Sequence, residues 1–195
     1  MLRVATLFAV LLFTAGTALA QGKTDSDIVA KIRAEYTAVG AKIDIVKKGG
    51  EAAKAADIVL SELIVNKGGH NWPAVGTYLV IYRFWYEWDP DQPFPTRLRK
   101  VEIDTVSGAR KFYQEYFYGT DGRLRFYLER ADGAPGGTAK EVRSYYAGEK
   151  LVRMVSGDVV NDAPTPGERK TAETIIGAAQ RIMATFRSAQ GMRGN

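Results

Sequence analysis

Between Thr77 and Gly157 the chain is a series of short strand-like runs whose separators leave room for only one kind of pairing. The runs "TYLVIYRFWYEW" (77–88), "TRLRKVEIDTV" (96–106), "RKFYQEYFY" (110–118), "RLRFYLER" (123–130), "AKEVRSYY" (139–146) and "KLVRMVSG" (150–157) are rich in β-branched and aromatic residues. Between them stand "SGA", "GTDG", "ADGAPGGT" and "AGE", which are turn compositions, and "DPDQPFP", whose three prolines in seven residues no ladder accommodates. A parallel return needs a crossover of about a dozen residues or more, so strands joined this tightly pair antiparallel. The segment "ADIVLSELIVN" (56–66) is a further candidate strand, contested by a short helix over 51–62 because "EAAKAAD" favours helix. The long run 77–88 shows almost no polar alternation and is expected to be covered on both faces.

Two helices are expected to flank this meander. From Thr24 to Lys48, Ile28, Ile32, Tyr36, Val39, Ile43 and Val46 fall at steps of three and four, one stripe of a 3.6-residue helix. Thr24, Asp25 and Ser26 are its N-cap candidates, Gly49-Gly50 its stop, and Lys31, Glu35 and Lys42 its solvated face. At the other end Thr165-Pro166-Gly167-Glu168 spells a capping box with proline at the first helical position. Ala172, Ile175, Ile176, Ala179, Ile182, Met183 and Phe186 then form a stripe that reads as a face docked on a core. The fold class expected is α+β: an antiparallel β-meander of six or seven strands packed with an N-terminal and a C-terminal amphipathic helix.

The first twenty residues have the layout of a secretory signal peptide. Arg3 supplies the positive start, Val4 to Phe13 the apolar run, and Ala18-Leu19-Ala20 the A-x-A site, so cleavage before Gln21 is expected. The apolar run is shorter than the roughly 20 residues a membrane span needs. Residues 21–188 are then a single α+β domain and 189–195 a flexible tail, in a product located in the periplasm or secreted. No stable membrane insertion is expected after cleavage. Without Arg3, 26 basic residues face 22 acidic ones, a net charge of +4. That mild, dispersed excess permits attraction to anionic envelope components and lacks the clustered stripe of a nucleic-acid binder.

Little in the sequence points to catalysis. The chain has no cysteine, hence no disulfide and no thiol nucleophile, and one histidine, His70, with no second imidazole to share a metal. "WDPDQP" lacks the glycine and distal glutamate of a calcium loop. Ser61, Ser107, Ser144 and Ser156 have no local partner, and the paired glycines open no helix after a strand. Glu102, Asp104, Glu115 and Glu129 are strand carboxylates of the kind that glycoside hydrolysis uses in pairs. Lys100, Arg110, Lys111, Arg123 and Arg125 on the same strands explain them as cross-strand ion pairs on a solvated face. No catalytic residue, metal ligand or cofactor is therefore assigned.

Aromatic residues carry the remaining signal. Tyr78, Tyr82, Phe84, Tyr86 and Trp88 share one face of the long strand, and Leu79, Ile81 and Trp85 the other. Rings with polar tips suit sugars, peptides and proteins when exposed, and fill a curved sheet when buried. In "EYFYGTDGRLRFYLER", Leu124, Phe126 and Leu128 are expected to point to the core and Arg123, Arg125, Tyr127 and Glu129 to the opposite face. That stretch and "RSYYAGEKLVRM" read as two hairpins built by one rule, short of a repeat array. The ligand-binding candidates are thus Tyr82, Tyr86, Trp88, Arg123, Arg125 and Tyr127. The expected role is an exported, non-enzymatic domain that binds an envelope component, a peptide or a protein. A hydrolase of an envelope polymer using His70 with Glu102 and Glu115, and a structural or assembly factor of the envelope, are the competing expectations.

Overall fold

A computed structural model describes residues 15–74, 76–91, 97–132 and 140–191, with side chains from Asp25 onward. A helix α1 (Ala15–Lys48) and a single turn α2 (Glu51–Lys54) come first. Nine strands follow: β1 (Ile58–Val65), β2 (Asn71–Trp72), β3 (Gly76–Glu87), β4 (Leu98–Ser107), β5 (Arg110–Tyr118), β6 (Leu124–Ala131), β7 (Lys140–Ala147), β8 (Lys150–Ser156) and β9 (Val159–Asn161). Helix α3 (Pro166–Ala189) closes the described chain. Every strand pair is antiparallel, in the order β1-β3-β4-β5-β6-β7-β8-β9, with β2 pairing β3 beside it. The chain is α+β, and the sheet exceeds the expected six or seven strands by the two short pieces β2 and β9. Two or three residues are too few to leave a periodic signature in sequence.

Boundaries follow the local chemistry. Gly49 and Gly50, at φ +74° and +80°, end α1 where a left-handed residue is needed. At the other end of α1 the structure departs from expectation: the helix runs without a break from Ala15 through Thr24, Asp25 and Ser26, so these residues cap nothing in this chain. Residues 1–14 of the expected signal peptide, and 192–195 of the expected tail, lie outside the described residues. The capping box of α3 is complete, with Thr165 Oγ1 accepting from the Glu168 amide at 3.3 Å and Glu168 Oε2 accepting from the Thr165 amide at 2.6 Å.

The two long helices lie on opposite faces of the sheet. Consecutive residues of a strand point to opposite sides, and Phe84 and Trp85 belong to different apolar clusters. On one side Phe84, Val101, Ile103 and Tyr127 pack with Ala172, Ala179, Met183 and Phe186 of α3. On the other, Trp85, Phe117, Phe126 and Tyr145 pack with Val29, Ile32, Val39 and Ile43 of α1. The C-terminal part of β3 is covered on both faces, at Phe84, Trp85 and Tyr86, whereas Leu79 and Ile81 nearer its start are half-buried.

Three β-bulges stand in line at one end of the sheet. The register places Tyr86 opposite Leu98 but Trp85 opposite Lys100, so Arg99 is the extra residue. Arg125 is extra between Tyr118–Leu124 and Phe117–Phe126, and Val152 between Tyr146–Leu151 and Tyr145–Arg153. Each time an aromatic residue facing α1 (Trp85, Phe117, Tyr145) precedes a tyrosine facing α3 (Tyr86, Tyr118, Tyr146), and that tyrosine pairs with a leucine. The echo between two hairpins thus has a third member. A bulge bends its strand and increases the local twist. It also resets the alternation: Leu124 faces α3, while Phe126 and Leu128 face α1. All three are buried in the core as expected, but the extra Arg125 splits them between its two layers.

Candidate functional site

The bent end of the sheet, the β5–β6 and β7–β8 turns and the C-terminal half of α3 enclose a cleft of about 650 Å³. Gly122 (φ +74°) and Gly148 (φ +64°) supply left-handed positions in the two turns, which lets both stay short and leaves space beneath α3. Leu124, Ile176, Ala179 and Met183 make the apolar floor. Tyr118 lines the same floor, is 1% exposed, and donates its hydroxyl to the Ala179 carbonyl at 2.9 Å, which fixes α3 against the sheet at this depth. Burial pushes the Tyr118 phenol well above its ordinary value, so it remains a donor.

The mouth of the cleft is charged. Arg123 comes from the β5–β6 turn and Arg187 from the last turns of α3, and both are exposed. Neither guanidinium enters an ion pair among the described residues, whereas Arg125 beside them is tied to Asp121 at 2.8 Å. Glu149 is the single carboxylate among the described residues of the lining, so there the arginines outnumber the acids at the opening. Gln180 and Ser188 add neutral polar groups. An apolar floor under two open guanidiniums accommodates an apolar body that ends in a negative group.

The six sequence candidates separate on folding. Arg123 lines the cleft, and Arg125 stands next to it as the bulge residue. Tyr86 is buried, with its ring centroid 5.3 Å from that of Phe186, and half-buried Tyr82 stacks on Phe84 at 6.1 Å. Tyr127 is buried against Tyr116 and accepts from Gln114 Nε2 at 2.8 Å. Trp88 lies just past β3, 57% exposed, and is not in the lining of the cleft. The Tyr-rich face of β3 is therefore the floor on which α3 lies.

Of the four strand carboxylates Asp104 keeps the expected exposed cross-strand ion pair, with Arg83, whereas Glu102 and Glu115 have a different setting from the solvated one expected. Glu102 and Glu115 are directly opposite in the β4–β5 register and are 4% and 5% exposed beneath α1. Like charges in that arrangement repel. Lys100 lies between them, its Nζ 3.1 Å from Glu102 and 3.0 Å from Glu115, and Lys47 of α1 reaches Glu102 at 3.1 Å. Tyr36 and Tyr113 donate to Glu115, and Trp85 Nε1 donates to Glu102 at 3.3 Å. Burial pushes the Tyr36 hydroxyl up to about 12, with the Glu115 contact acting in the same direction. Arg99 ties α1 to the sheet in a similar way through Glu35, which keeps a side-chain exposure of 39%, and also pairs with Glu87 of β3. His70 is outside this set: it is exposed after Gly69, and among the described residues its backbone is held by Asn66 while its ring has no hydrogen-bond partner. Among the described residues no group of three or more histidines, cysteines, aspartates and glutamates could hold a metal ion.

Comparison with protein-family models, with curated proteins and with solved structures finds no match to this chain. The chemistry of its own residues carries the functional reading. Sequence reasoning reached Arg123 and passed over Met183, Gln180 and Arg187, whose signal was present but ambiguous. Ala179, Met183 and Arg187 are spaced by four, as are Ile176, Gln180, Ala184 and Ser188, so two adjacent rows of one helix run from floor to mouth. Only the bend of the sheet decides that these rows overhang a cleft.

Proposed function

We propose that the chain is an exported, non-enzymatic binding domain whose cleft takes an amphiphile of the cell envelope, an apolar body carrying one negative charge. The observation that carries this reading is the pair Arg123 and Arg187, open and without an acid partner among the described residues, above the Leu124–Met183 floor. The buried cations Arg99 and Lys100, by contrast, are matched by carboxylates. The volume, about 650 Å³, lies within the range of small-ligand sites. Export rests on the arrangement of Arg3, the apolar run and Ala18-Leu19-Ala20. No helix among the described residues is long and apolar enough to cross a membrane.

Laurate, below the concentration at which it forms micelles, should bind and raise the melting temperature, since a ligand that binds only the folded state stabilises it. Dodecyltrimethylammonium, with the same chain and the opposite charge, should not. The double variant Arg123→Ala/Arg187→Ala should weaken laurate by about tenfold or more, the scale of losing hydrogen bonds to a charged group. Equal binding of the two amphiphiles, or no effect of the double variant, would remove the reading. The export half has its own check. The protein expressed in a Gram-negative host should be recovered from the periplasm with Gln21 as its first residue, by intact-mass measurement; a cytoplasmic product starting at Met1 would end the claim of export.

A further inference from the structure

A second recess opens on the opposite face, between α1 and strands β6 and β7, with a volume of about 350 Å³. Its floor includes the rings of Tyr36, Phe126 and Tyr145, which meet in sequence at centroid distances of 5.1 and 5.0 Å. Its rim carries three exposed arginines, Arg33 from α1, Arg130 from β6 and Arg143 from β7. Arg130 and Arg143 share one carboxylate, Glu141, and Arg33 pairs with no acid among the described residues. Three guanidiniums therefore face one carboxylate. Arg33 is held in place by a neutral partner, its Nε donating to the Tyr145 hydroxyl at 3.3 Å with its Cζ 5.4 Å from the Tyr145 ring centre. Glu115, which accepts from the Tyr36 hydroxyl, is already engaged by Lys100 and the two tyrosines.

We propose that this recess is a second binding site, for a small aromatic carboxylate. The carboxylate meets the arginine rim, where the planar guanidinium fork matches its two oxygens. The ring of the ligand rests against the aromatic floor, where edge-to-face packing adds to apolar burial. The recess is at the lower limit of ligand-site volumes, which suits one ring and excludes an acyl chain or a folded peptide segment. A bare inorganic anion would leave the ring floor unused. The site shares no residue with the cleft under α3, and its occupancy does not depend on what that cleft binds.

Calorimetric titration of the full chain with benzoate, cyclohexanecarboxylate, acetate and inorganic phosphate tests this at low salt. Benzoate should bind about tenfold or more tightly than acetate, with cyclohexanecarboxylate between them and phosphate no better than acetate. Arg33→Ala and Arg143→Ala should each weaken benzoate by about fivefold or more, as expected for loss of a charge-assisted hydrogen bond, and leave laurate binding unchanged. Both arginines are exposed, and thermal unfolding of each variant confirms that the fold is kept. Benzoate binding no better than acetate or phosphate overturns the proposal, because charge alone then explains the site. Benzoate binding that survives the Arg33→Ala/Arg143→Ala double variant overturns it as well, because the ligand then sits elsewhere.

Discussion

Replacing Lys100 with methionine should cost about 3–5 kcal/mol of folding stability, the scale on which removal of one partner strands a buried opposite charge. The loss is set by what remains. Glu102 and Glu115 would stay directly opposite each other beneath α1, each about 5% exposed or less, without the ammonium between them. Lys47 offers a control, because it touches the same Glu102 but its side chain is 47% exposed. Solvent screens such a contact, so Lys47→Met should cost about 1 kcal/mol or less. The triple variant Lys100→Met/Glu102→Gln/Glu115→Gln should be more stable than Lys100→Met alone, since the stranded charges are gone, the glutamine oxygen at position 102 can accept from Trp85, and the glutamine at position 115 can accept from one of Tyr36 and Tyr113 while its amide donates to the other hydroxyl. Urea unfolding of the four proteins measures all of this. A triple variant less stable than the single would mean that Lys100 acts through packing.

The same cluster sets a dependence on pH. Burial pushes the Glu102 carboxyl up, but Lys100 and Lys47 together outweigh it and hold the group below its ordinary 4.5. In the unfolded chain the carboxyl takes its proton first as pH falls. The stability it contributes is therefore whole above pH 4.5 and is lost as pH drops through the folded value. Lys100 runs the other way. Burial pulls its ammonium down, while Glu115, Tyr36 and Glu102 outweigh that and raise it above 10.5. Its contribution is complete below pH 10.5 and is lost as pH rises past the folded value. Glu102→Gln should accordingly flatten the acid side of the stability profile and, by removing one of the groups that raise the Lys100 ammonium, also move the alkaline loss to lower pH.

How legible this molecule was in its sequence varies by element. The antiparallel meander was forced by separators too short for a crossover, and part of each helix stripe is buried, Ile32, Val39 and Ile43 in α1 and Ala172, Ala179, Met183 and Phe186 in α3, while buried Val29 lay outside the stripe. The face that each helix covers was not readable, because β3 is apolar on both sides and parity alone assigns no partner. Bulges did further damage to strict alternation. Arg99, Arg125 and Val152 each shift the side of every residue after them, and a rule of period two carries a strand-face assignment no further than the first bulge. Glu102 and Glu115 looked solvated because charges on strands usually are; their burial depends on α1, more than fifty residues earlier, lying across that face. The cleft was half legible. Arg123 and the turn glycines were visible as a hairpin, and Arg187 only as one more basic residue of a helix.

Phe186→Ala should be the most damaging single change in α3, about 3–5 kcal/mol, because a ring 1% exposed leaves a cavity that its neighbours fill only in part. Its centroid lies 5.7 Å from that of Phe84 and 5.3 Å from that of Tyr86, so it is the ring through which α3 grips the aromatic face of β3. Arg187, the next residue, is exposed, and its replacement by alanine should change stability by no more than about 0.5 kcal/mol. The contrast between neighbours separates docking of α3 from any general loss of helix propensity. A double-mutant cycle of Phe186→Ala with Tyr86→Ala carries the argument further. If Tyr86 is part of the floor beneath α3, the two losses should fall short of additivity by about 0.5–1.5 kcal/mol, the usual coupling of an aromatic pair in contact. If Tyr86 is instead free to hold a ligand, the losses would add, and Tyr86→Ala alone would cost little. A ring that α3 needs for docking is unavailable as a recognition surface, which is why the open guanidiniums of Arg123 and Arg187, rather than the tyrosines of β3, are where a partner has something to meet.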